Sequence, residues 1–178
     1  MKKKGQVWIS AILYLALGVI IIALIIGLAM PMVGKMRDRN TYIQTKEMMF
    51  NLNKNVIDVI NEGPGSKRYL SPLSIEKGEL IIAPGTDDTI QWKFKTKNKL
   101  METGMDFKEG DLTLRTDGME GNYELTIKSS YANADIELSS VAGSLRNPFF
   151  GVFSMVIENS GYSGGATEPK ITIKMQAT

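Results

Sequence analysis

The chain has 178 residues and a formal net charge of +2, more than supplied by Lys2-Lys3-Lys4, so the remainder is nearly neutral and its overall charge does not indicate nucleic acid as a partner. It contains no cysteine and no histidine, which removes the commonest nucleophile–base pairs, zinc and iron–sulfur ligand sets and haem attachment. No enzyme activity and no cofactor is expected.

The basic cluster abuts residues 6–34, which include no Asp, Glu, Lys or Arg. At about 1.5 Å per residue, a helix over 7–33 spans about 40 Å, enough to cross roughly 30 Å of hydrocarbon. A cleavable secretory signal needs an apolar core of only about 7 to 15 residues, although Gly27-Leu28-Ala29 offers a cut that would release a soluble head. The same length and flanks also suit an uncut, monomeric anchor. Lys35, Arg37 and Arg39 favour a cytoplasmic head and Lys2 to Lys4 oppose it, so charge leaves orientation open. Gly18 and Gly27 permit close approach of a second helix, and Pro31 removes a backbone hydrogen bond and permits a bend.

Residues 35–62 turn polar with periodic apolar positions. Met36, Ile43, Phe50 and Ile57 recur at heptad spacing, flanked by Met49, Leu52, Val56 and Ile60, and Gly63-Pro64-Gly65 ends the pattern. One long helix is expected, transmembrane in its first half and amphipathic in its second, on which a head can pack.

Residues 66–178 read as that head. Leu112 and Leu114, then Tyr123, Leu125 and Ile127, then Ile171, Ile173 and Met175 alternate with polar residues, the period of strands buried on one face. Residues 149–157 are apolar at both parities and predict a central strand covered on both sides. Turns are expected at Ala83-Pro84-Gly85, Asp117-Gly118, Asn133 and 161–165. The fold class is α+β: the N-terminal helix followed by an antiparallel sheet or sandwich.

Within the head, strand alternation over 92–99 sets Lys93, Lys95, Lys97 and Lys99 on one face and Trp92 and Phe94 on the other. Such a ladder offers contact with an anionic polymer, but the aromatics needed for stacking on bases point away from it, which favours a core strand with lysines guarding its surface. Asp87-Asp88 and Asp117 to Glu120 bring carboxylates together beside glycines without the spacing of an EF-hand loop, so no metal is assigned. Residues 159–167, rich in Ser and Gly, read as an exposed loop.

Lys4-Gly5 followed by Gln6-Val7-Trp8-Ile9-Ser10 resembles the class III signal peptide of archaeal type IV pilins, over roughly the first sixty residues. The resemblance implies that a prepilin peptidase cuts between Gly5 and Gln6. Domains then follow: a leader (1–5), an assembly helix (6–34) with Ser10, Gly18, Gly27 and Pro31, its amphipathic continuation (35–62) and the head (66–178). It also implies a subunit, major or minor, of a surface filament serving adhesion, motility or secretion. Partners would be like subunits, an assembly ATPase with its membrane platform, and the lipid bilayer before assembly, with the head outside. The fifth residue after the cut, commonly Glu in pilins, is Ser10 here, which avoids a buried carboxylate and forfeits its ion pair with a neighbouring amine. The alternative is an uncut, membrane-anchored extracytoplasmic binding or sensor domain.

Overall fold

A computed structural model of the chain describes residues 3–83, 87–141, 146–164 and 167–177, with side chains from Trp8 onward except those of Ser140, Val141 and Ala177. One α-helix, α1 (Lys3–Glu62), is followed by eight strands. The chain divides into two compact units, Met1–Asn40 and Thr41–Thr178.

In the first unit α1 is helical throughout and continues on both sides of Pro31. Its large apolar side chains are exposed all round, from Trp8, Leu13 and Leu15 to Leu28 and Met32. A helix of that kind is compatible with a membrane span by length and composition.

In the second unit the strands are β1 (Lys67–Ala83), β2 (Thr89–Thr96), β3 (Asp106–Glu109), β4 (Leu112–Met119), β5 (Asn122–Ser130), β6 (Asp135–Val141), β7 (Phe149–Tyr162) and β8 (Pro169–Ala177). They form a single sheet in the order β3-β4-β5-β2-β1-β7-β8-β6. Every neighbouring pair is antiparallel except β6 and β8, which run parallel because β7 intervenes between them in the chain and reverses it twice. The sheet is therefore mixed, where the sequence led us to expect antiparallel pairing throughout.

One face of this sheet and one face of α1 make the core. Met49, Leu52, Val56 and Val59 are buried with Trp92, Phe94, Leu125, Ile127, Met155, Ile157 and Ile173. Each fully buried side chain of this size contributes about 1.5–3 kcal/mol relative to exposure. The heptad set is not the packed face: Ile43 and Met36 are exposed and Phe50 and Ile57 half-buried. The buried stripe instead runs through Thr45, Met49, Leu52, Asn53, Val56 and Val59, an alternating spacing of four and three that takes in the flanking Met49, Leu52 and Val56 and lies to one side of the line through Ile43, Phe50 and Ile57.

β7 likewise differs from its expected double coverage. Phe149, Phe153, Met155 and Ile157 are buried, but Phe150 is 70% and Val152 52% exposed, since α1 covers only one face of the sheet. The turn expected at Asp117-Gly118 falls later, at Glu120-Gly121, where Met119 pairs with Asn122. Asn133 does lie in a turn, closed by the Ala134 amide donating to the Tyr131 carbonyl. The turn expected at Ala83-Pro84-Gly85 falls largely outside the described residues, as do residues 165 and 166 of the last one.

The helix stops where glycine and proline require it. Gly63 has φ +88°, a conformation that costs other residues energy. Beyond it, the Ser66 hydroxyl and the Asn159 carboxamide both donate to the Val59 carbonyl, left without a partner at the helix end. Backbone bonds from Gly65 to Asn159 and from Asn159 to Ser66 tie this terminus to β7.

Candidate functional site

The first candidate is the exposed apolar helix of the N-terminal unit. Gly5 and Gln6 lie within its first helical turns, with side chains outside those described. Ser10 lies on the helix, and a Cβ built at Gly18 or Gly27 would meet nothing within 4 Å, so both present flat, unobstructed patches to a neighbour. A shaft of this kind leaves its Leu, Ile and Val side chains without cover inside its own chain. Lipid or other apolar helices are environments that would remove that surface from water.

The lysine run is split by the structure. β2 ends at Thr96, so Lys93 and Lys95 share the outer face of the sheet while Lys97 and Lys99 lie in the bend beyond it. The expected four-lysine ladder is thus two lysines long. Trp92 and Phe94 are buried and stacked, with ring centroids 5.3 Å apart, as alternation predicts. Lys93 stands opposite Glu79, Lys95 lies 3.8 Å from Glu124, and Lys99 pairs with Glu102 at 2.7 Å. A surface depression of about 450 Å³ beside Lys93 and Lys95 also contains Glu79 and Glu124. Carboxylates at this spacing oppose a polyanion.

Residues 159–162, expected in an exposed loop, belong to β7, and Asn159 is only 1% exposed. Ser and Gly there reflect a strand end packed against the helix terminus, with the Gly161 amide donating to Asn159 Oδ1 at 3.0 Å. The carboxylates also have structural work. Asp88 accepts from the Ile136 amide at 2.8 Å, and Asp117 and Asp106 flank Arg115, holding its guanidinium above its usual pKa. Among the described residues no group of three or more His, Cys, Asp or Glu could hold a metal.

A second site escaped the sequence. The hairpin of β3 and β4 turns through Gly110-Asp111 and is strapped to α1 by Lys46, whose ammonium lies 2.8 Å from Glu109. That contact raises the Lys46 pKa above its ordinary value. Gly110 sits against Phe50, close enough that an added Cβ would stand 3.3 Å from its ring. Between the strapped hairpin, the helix and the turn at Ala132-Asn133 lies a cleft of about 570 Å³. Sequence reasoning missed it; the signal that could have found it is Asn53, an amide one helical turn after Met49 and beside Leu52 on the face the head covers. No family model matches the chain, and no curated protein and no solved structure is detectably similar to it.

Proposed function

We propose that the chain is a type IV pilin-like structural subunit, cut by a prepilin peptidase between Gly5 and Gln6 and assembled through the helix that remains. The observation that carries this proposal is α1 itself: a single 60-residue helix, exposed and apolar in its first unit, whose last turns form the packed face of the head. A mere anchor has no need of such continuity. In a filament the shaft leaves lipid only as neighbouring copies bury the same surface, a heterologous contact that repeats without closing. The head would then stand outside the membrane and the subunit, major or minor, would serve adhesion, motility or secretion.

N-terminal sequencing and intact mass of protein recovered from membranes, in cells carrying its own processing machinery, test the proposal. A start at Gln6 is expected, with Gly5→Phe retaining the leader and failing to enter filaments. A start at Met1 would sink the filament reading and leave the anchored binding domain.

A further inference from the structure

We propose that the cleft between α1, the β3–β4 hairpin and the turn before β6 binds a neutral saccharide. Its helix wall is Asn53, Ile57, Ile60 and Asn61, a spacing that places all four on one face. Asn53 is 5% exposed, and no hydrogen bond holds its carboxamide among the described residues. That carboxamide is not closed off from solvent, so the cleft is where its hydrogen bonds are made, with water or with the polar groups of a ligand that replaces it.

The rest of the lining specifies the partner's chemistry. Asn61 and Asn133 add carboxamides, each with donors and an acceptor, and Ser130 at the end of β5 adds a hydroxyl. A sugar hydroxyl both donates and accepts and so suits every one of these groups. Lys108 and Asp111 bring one charge of each sign, which gives no advantage to a ligand with net charge. Half-buried Ile57 and Ile60 offer an apolar strip to the C–H face of a sugar ring. The volume, about 570 Å³, lies within the range of small-ligand sites. At the inner end Tyr131 also lines the cleft, and its hydroxyl and that of Ser129 are buried without a partner of hydrogen-bond geometry. Burial pushes the Tyr131 phenol well above its ordinary pKa, against a smaller opposing effect of the Ser129 hydroxyl, so Tyr131 stays a neutral donor.

This inference is independent of filament assembly. Its test uses the full chain in a detergent without a sugar headgroup, screened on an array of neutral hexose and N-acetylhexosamine oligosaccharides. The tightest neutral binder, as free oligosaccharide, is then titrated by calorimetry. Asn53→Leu keeps the side-chain shape and raises helix propensity, and should weaken binding about tenfold or more while leaving the unfolding midpoint unchanged or higher. Asp111→Asn should weaken binding less, and Lys95→Ser on the outer face should leave it unchanged. Absence of binding to every neutral oligosaccharide overturns the proposal. So does binding that Asn53→Leu leaves intact, or binding confined to anionic sugars and lost with Lys95→Ser.

Discussion

At Asn159 the carboxamide donates to the Val59 carbonyl at 3.1 Å while its oxygen accepts from the Gly161 amide at 3.0 Å, all within a site 1% exposed. Asn159→Leu leaves the Gly161 amide buried without its acceptor and Val59 with Ser66 alone, and should cost about 1–3 kcal/mol in urea unfolding. The same substitution at Asn53 should have the opposite sign or none, because there the amide has no partner to lose. Both asparagines are visible in the sequence, but their difference is not: composition placed Asn159 in a loop, and only the strand's continuation to Tyr162 reveals its work. A third residue sets a pH dependence. Glu158 lies 2.8 Å from both Lys174 and Lys67, and these hydrogen-bonded ammoniums lower its pKa from 4.5, Lys174 having the larger effect. A depressed carboxylate stabilises the fold fully above its unfolded pKa and loses that contribution as pH falls through the folded value. The unfolding midpoint should therefore decline below about pH 4.5, by less in Glu158→Gln, as followed by circular dichroism across an acid series.

At the scale of elements, the periodicities identified helix and strands because each has a wet and a dry side, and period reports that difference directly. What they blurred is which side of α1 is dry: Met49, Leu52 and Val56 were legible only as flanks of the heptad set, and Thr45, Asn53 and Val59 not at all. Met36, Ile43, Phe50 and Ile57 are more conspicuous than the mixed set Thr45, Met49, Leu52, Asn53, Val56 and Val59 that the sheet covers. Two of those six are polar, and a polar residue on a packed face carries no apolar signal. Leu52→Ala should cost about 2–5 kcal/mol, whereas Ile43→Ala, at 38% exposure, should cost far less. Equal losses in denaturant would reinstate the heptad face. β1 holds a comparable surprise at Gly78, where φ is +78° and a Cβ would stand 2.3 Å from the Lys93 carbonyl oxygen. The register of β1 against β7 shifts there, and the Trp92 indole donates to the Lys77 carbonyl at 3.0 Å. Gly78→Ala should disturb the tryptophan's environment, read as a change in its fluorescence maximum together with lower stability. The cleft was illegible for a related reason: its walls come from three separate stretches of chain, and no local pattern encodes their meeting.

For the molecule as a whole, the first half of α1 is compatible with a membrane span and the head buries its own core. A charge at the centre of the span tests the first: Ile20→Asp should cost about 2.5–3.5 kcal/mol of insertion and reduce the fraction retained in carbonate-washed membranes. Unchanged retention would argue that the helix does not reside in lipid. The head's long-range ties carry a consequence for its synthesis. Val59 and the Asn159 that secures its carbonyl are 100 residues apart, and β1, made early, pairs with β7, made late. While a ribosome works through the intervening codons, Met49, Leu52, Val56 and Val59 have left the exit tunnel without the strands that will cover them. The nascent chain thus carries a sticky helix face for seconds at ordinary elongation rates, and contacts this distant in sequence close slowly once they can. A holding chaperone, or a translocation channel that delays folding until β7 and β8 have passed, is what such a topology asks of the cell.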